Sequence, residues 1–252
     1  MNDYLLFRLY GPLASWGETA VGEVRPSAAW PGRSAIIGLL AAALGVRRDE
    51  EQRQNALANG YGMAVCVESS GELLRDYHTT QVPPERRGVT HRTRRDELNA
   101  DTLHTILSQR DYRSDALYTV ALWQKPGASD ATLEQLAQAL ERPRFTLYLG
   151  RKSCPLAMPL SPRIVHADDL RSVFENVEFP DGKLLDALPL AQERIFVWEE
   201  GRAEGMKALH VNRRRDDPSS RKRWQFGERN EYYRSEPREE REKQKGGVSD
   251  VL

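Results

Sequence analysis

A chain of 252 residues, 39% hydrophobic and 29% charged, is long enough to bury a substantial core, and no apolar run approaches the roughly 18 to 20 residues that span a bilayer. The opening MNDYLLFRLYGP lacks the basic n-region of a signal peptide, so a cytoplasmic protein without membrane contact is expected. A formal net charge of zero excludes a uniformly basic surface, yet 30 of the 37 basic residues are arginine and only 7 are lysine, and they are clustered.

In chain order, the aromatic and apolar run 4–10 ends at Gly11-Pro12 and reads as a first strand. Pro31 and Gly32 precede, and Gly45 follows, a run in which Ile36, Ile37, Leu39, Leu40 and Leu44 recur at helical spacing, which predicts a buried helix over 33–44. Residues 61–68 and 72–79 read as two strands joined by Ser69, Ser70 and Gly71, a hairpin. ALYTVALW at 116–123 is a further strand, 130–141 an amphipathic helix stopped by Pro143, and 144–149 a closing strand. Strand, helix, two strands, helix, strand is the order of an α+β, ferredoxin-like (RRM-like) domain, here 1–160.

The stretch of about 80–115 interrupts that order. It is polar and Arg-rich, with Pro83, Pro84 and Gly88, and is expected to project as a thumb with a short helix near 96–107. A smaller, β-rich C-terminal part is expected over 161–234, with a helix near 168–176 and strands near 194–199 and 206–212. The charged tail 235–252 has little to bury and is expected to be mobile.

Three segments carry chemistry. In YLGRKSCP, Gly150 sits beside Arg151, Lys152 and Ser153, a loop that can approach and neutralise a phosphate, with Tyr148 and Cys154 flanking it; the same string also reads as a turn with solvated charges. In RDYHT, Tyr77 or His78 could stack a base, against the plainer reading of a satisfied strand-end histidine. Arg25, Arg33 and Ser34 surround the N-terminus of the first helix, where an anion is favoured; Trp16 and Trp30 nearby are better read as core. The thumb adds Arg86, Arg87 and Arg92, and a further basic cluster at 213–215 and 221–223 encloses only Asp216 and Asp217. Cys66 and Cys154 lack metal-ligand or redox spacing, so no metal or cofactor is expected.

Taken together, LLFRLYGPLASWG, the RP at 25–26, PGRSAIIGLLAAALG, RDYHT, DALYTVALW and YLGRKSCPL occur in an order that resembles the CasD family, a RAMP-superfamily branch of type I-E CRISPR Cascade, with RRRDDP and WQFGERNEYY matching more loosely. The resemblance implies a ferredoxin-like RAMP domain with a projecting thumb. It also implies an RNA-binding subunit that holds the 5′ handle of the crRNA and contacts the backbone RAMP subunit and the large subunit. Target DNA would be met through the complex. The residues above, Arg25, Arg33, Ser34, Tyr77, His78 and 148–154 with the thumb arginines, would supply the handle surface.

Two other functions compete with this reading. One is a metal-independent endoribonuclease acting on CRISPR repeat RNA, with His78 or Tyr77 as general base. The other is a protein-only scaffold whose arginines meet acidic partners.

Overall fold

The computed structural model describes residues 1–127, 131–175, 177–180, 188, 190–201 and 205–238. Seven strands form one open sheet in the order β10-β11-β9-β4-β7-β1-β8. In sequence they are β1 (Asn2–Tyr10), β4 (Tyr61–Ser69), β7 (Leu117–Gln124), β8 (Arg163–Ala167), β9 (Glu193–Trp198), β10 (His210–Ser220) and β11 (Gln225–Pro237), and all neighbours are antiparallel. Alternation along β1 explains why both faces of this sheet are dry. Leu5, Phe7 and Leu9 enter one apolar cluster, with helices α1 (Arg33–Leu44) and α4 (Leu133–Glu141), while Tyr4 and Leu6 enter a second, with α5 (Leu170–Glu175). Strands covered on both sides carry few polar residues, which is why β4 and β7 stand out in the sequence as near-continuous apolar runs. A fully buried ring such as Phe7 stabilises the fold by about 1.5–3 kcal/mol.

Helix α1 follows Gly32 and ends at Gly45, whose φ of 74° lets its amide close onto the carbonyls of Ala41 and Ala42. Its first amide, that of Arg33, donates to Asp216 Oδ2 at 2.8 Å, so the helix is capped by a carboxylate far away in the chain. Gly32 makes this possible, since a Cβ there would lie 2.4 Å from that oxygen. Helix α2 (Glu51–Gly60) was not expected; its EQRQNALANG carries little apolar pattern and buries only Gln54, Leu57, Ala58 and Gly60.

The expected hairpin of 61–68 with 72–79 is overturned. β4 pairs with β7 and β9, whereas β5 (Glu72–Val82) turns away at Gly71 and pairs with β6 (His104–Ser114) over eleven positions, from Glu72↔Ser114 to Val82↔His104. At Gly71 (φ +61°) a Cβ would lie 2.1 Å from the carbonyl oxygen of Ser114. The helix expected over 96–107 is only α3 (Arg94–Leu98), and 104–107 is strand, so the excursion is an exposed two-stranded ribbon. At its base β6 also pairs with β2 (Leu13–Ala14) and β3 (Val24–Arg25).

A third correction concerns 144–149, which is a loop held by an isolated bridge between Tyr148 and Pro155, while the strand that follows α4 is β8. The expected strand 206–212 starts later and is longer, and β11 extends the sheet beside it. Of the tail expected from 235, Ser235 to Pro237 complete β11 and Arg238 donates to Glu68; 239–252 lie outside the described residues.

The two strands of the β10–β11 hairpin are tied to each other by buried ions, and Asp216 and Asp217 tie the hairpin to Arg33 of α1. Asp216 binds Arg229 and Arg214, and Glu231 binds the same two arginines. Burial acts to raise the Asp216 pKa, but Arg229, Arg214 and the α1 amide outweigh it and hold the carboxyl below its ordinary value of 3.8. Glu68, buried at the opposite side of β4, is likewise held below 4.5: burial opposes this, and Arg194 and Arg238 prevail. Groups with depressed folded pKa values contribute stability above their unfolded values and lose it as pH falls through the folded ones. Stability is therefore expected to fall as pH drops below about 4.5, and Asp216→Asn to flatten that acid limb, measured by urea unfolding across pH.

Candidate nucleic-acid interface

A cleft of about 1660 Å³ opens between four segments: the loop from Ser15 to Arg25, α1 with its exit at Arg47 and Arg48, the loop 145–152, and the β10–β11 hairpin. Sequence-distant segments meet here because α1 crosses the sheet beside α4 while β10 packs against α1 and α2. The lining is cationic. Arg25, Arg47, Arg48, Lys152, Arg213, Arg214, Arg215 and Arg221 face only Glu18 and Asp216, and Asp216 is already bound by Arg214 and Arg229. Aromatic rings are interleaved with the charges: Trp16, Phe145, Tyr148, Trp224 and Phe226. Phosphates are neutralised by such cations and bases stack on such rings.

Among the described residues Arg25, Arg48, Lys152, Arg215 and Arg221 have no carboxylate partner. Arg221 lies along α1, where its Nη2 donates to the Ser34 carbonyl and its Nε is buried without a partner. Burial, and then the like charge of Arg48, push its pKa below the ordinary arginine value. The positive potential at this end of the cleft is therefore only weakly compensated by the protein itself.

Most residues expected around the α1 entrance and in the 148–154 loop do meet. Arg25, Ser34, Tyr148, Gly150 and Lys152 all line the cleft. Arg151 bridges to the ribbon, its guanidinium 4.8 Å from the Tyr112 ring centre and its Nη2 donating to the Arg25 carbonyl at 3.3 Å. Gly150 serves a different contact from the one expected. With φ at +84° and a would-be Cβ only 1.8 Å from the Ser15 carbonyl oxygen, it lets the loop close on the protein's own backbone. Ser153 is exposed and Cys154 is buried in the core.

Arg33 is not at the surface. Its guanidinium is buried, donates to Glu199, Asp217 and the carbonyls of Ala58 and Tyr61, and faces away from solvent. Tyr77 and His78 lie on β5, outside the cleft lining and on opposite faces of the ribbon. Tyr77 is exposed and His78 pairs with Asp76. Arg86, Arg87 and Arg92 are exposed in the connection between β5 and β6. Sequence reasoning missed Arg47, Arg48, Phe145 and Trp224; the signal for Trp224 was its position directly after the basic run 221–223.

Fold and cleft place the chain in a structural class of Cas proteins. It superimposes on a chain of a structure described as "CRISPR RNA-guided surveillance complex" with a TM-score of 0.60 and 27% identity, covering 93% of this chain and 89% of that one. A "Crystal structure of Cas protein" matches with a TM-score of 0.54 and 28% identity, covering 93% and 94%. Residues 4–232 match the family model described as CRISPR-associated protein (Cas_Cas5), and the chain belongs to that family. A curated relative, the "CRISPR system Cascade subunit CasD" of Escherichia coli (strain K12), is 37% identical over 186 residues, or 71% of this chain and 78% of the relative. No helix among the described residues is long and apolar enough to cross a membrane.

Proposed function

We propose that the chain is a non-catalytic, RNA-binding subunit of a type I-E CRISPR Cascade surveillance complex, acting in the cytoplasm to hold the 5′ handle of the crRNA. The complex would also contain a backbone RAMP subunit and a large subunit. The observation that carries this reading is the cleft, in which unpaired arginines and open aromatic rings line one continuous surface. The similarity to the Escherichia coli Cascade subunit supports the assembly, and that to a chain of an RNA-guided surveillance complex supports the RNA. The antiparallel order β8-β1-β7-β4, with α1 and α4 as crossovers, supports a ferredoxin-like RAMP domain, and the exposed β5–β6 ribbon supports a thumb. Against the nuclease reading, His78 lies on the ribbon and outside the cleft, and no histidine is among the described residues lining the cleft.

The test is co-expression with the other subunits and a CRISPR array, purification on this chain and sequencing of the bound RNA. A mature guide and co-purifying subunits are expected. A chain recovered alone and free of RNA would overturn the assembly reading, and metal-independent cleavage of repeat RNA in EDTA would overturn the non-catalytic one.

A further inference from the structure

The end of the cleft at the β10–β11 turn is built differently from the rest. Trp224 stands at φ +59°, a left-handed conformation that a bulky side chain adopts only when its surroundings impose it. The turn is pinned: the Arg223 amide donates to the Ser220 hydroxyl at 3.2 Å, and that hydroxyl donates to Glu51 of α2 at 3.2 Å. The strained backbone holds an indole 55% exposed at the cleft, whereas Trp16, Trp123 and Trp198 are each only 2% exposed. The Arg48 guanidinium stacks 4.7 Å from the Trp224 ring centre, and Phe226 meets the indole edge-on, their centroids 5.8 Å apart. Arg221, three residues before the indole, is the desolvated cation without a carboxylate partner. Gly38 in the middle of α1 leaves it room, since a Cβ there would lie 3.2 Å from Arg221 Nη2.

We infer that Trp224, Arg48 and Arg221 form a nucleotide subsite at the β10–β11 turn, stacking one base of a single-stranded RNA on the indole while Arg221 and Arg48 take the adjoining phosphate. The inference rests on the RNA-binding reading of the cleft and assigns these three residues distinct roles within it. Each part has a physical reason to be where it is. An indole fixed by its backbone loses little freedom when a base stacks on it, Arg48 aligned on the ring brings charge beside the stack, and a partly buried guanidinium binds an anion more strongly than one in water. The strain at Trp224 does not serve burial, because the ring it places stays largely open.

Fluorescence-anisotropy titration of the full chain with labelled oligoadenylate and oligouridylate eight-mers, repeated across salt concentration, reads this directly. Trp224→Ala is expected to weaken binding by about 5- to 150-fold, Trp224→Phe to restore most of the loss, and Arg221→Ala to lower the slope of log affinity against log salt by about 0.7. Trp224→Gly separates folding from binding, since glycine accepts the left-handed backbone. Its thermal midpoint should match the wild type's while its RNA affinity falls as in the alanine variant. Salt-dependent RNA binding by the wild type with affinities unchanged in the Trp224 variants would overturn the subsite and leave the RNA reading standing. No RNA binding by the wild type, alone or in the assembled complex, would overturn both.

Discussion

Replacing Arg33 by alanine is expected to destabilise the folded protein by about 3–5 kcal/mol, measured by urea unfolding, because it strips one partner from a buried ion network. The guanidinium is 4% exposed and spends its donors on four acceptors: Glu199, Asp217 Oδ1 at 2.9 Å, and the carbonyls of Ala58 and Tyr61. These come from the residue after β9, from β10, from α2 and from the start of β4, so one side chain joins α1 to the hairpin that forms a wall of the cleft. Its loss leaves the Glu199 carboxylate, 7% exposed, with Lys125 Nζ at 3.3 Å as its ion-pair partner among the described residues. Arg33→Lys should recover only part of the stability, because one ammonium cannot reach the same four acceptors. RNA affinity should fall in Arg33→Ala only as far as the hairpin loosens. A variant that keeps full stability but loses RNA would make Arg33 a direct ligand, as its place at the helix entrance first suggested.

What could be read in advance follows from where the stabilising interactions are apolar. Helix α1 is legible because Gly32 and Gly45 bound a run whose Ile36, Ile37 and Leu40 are buried. β4 and β7 are legible because both sheet faces are covered. Helix α2 and the β10–β11 hairpin are not, since the first has few apolar residues and the second buries Arg214, Asp216, Arg229 and Glu231 as mutual partners, so its alternation of two sets charged residues inward and shows no hydrophobic period. The same chemistry misled the reading of charge. The cluster at 213–223 reads as one basic stripe, but Arg214 is consumed by Asp216 and Glu231, and Arg221 is left without a carboxylate.

The cleft was half legible. Arg25, Ser34, Tyr148, Gly150 and Lys152 lie in loops that follow or precede recognisable elements, and local composition is enough to mark them. Arg48 and Trp224 are far apart in sequence, and only the packing of β10 against α1 and α2 brings them into contact. The ribbon's first strand was legible over 72–79, but its partner β6 was not, because residues such as Gln109 and Arg110 are exposed or half-exposed and offer no hydrophobic alternation.

The double reversal Arg25→Glu with Lys152→Glu should lower RNA affinity on the order of 100-fold while leaving the unfolding midpoint in place. Both side chains are exposed, and neither has a carboxylate partner among the described residues. The Arg25 guanidinium donates only to the carbonyls of Gly22 and Val24, so the fold depends little on either. They sit on two different walls of the cleft, β3 and the loop after Tyr148, which Arg151 ties together through the Arg25 carbonyl. Two exposed phosphate contacts at about 1.4 kcal/mol each, near the low end for hydrogen bonds to charged groups, account for the size of the loss, and the salt slope should fall by about 1.4, twice the single-strand value per phosphate. Arg25→Gln with Lys152→Gln should give the same change in slope with a smaller loss of affinity, because it removes attraction without adding repulsion. If both doubles retained RNA at wild-type affinity and slope in an assembled complex, the path of the RNA would avoid this mouth of the cleft, and the exposed arginines of the ribbon, Arg86, Arg87 and Arg92, would become the surface to test.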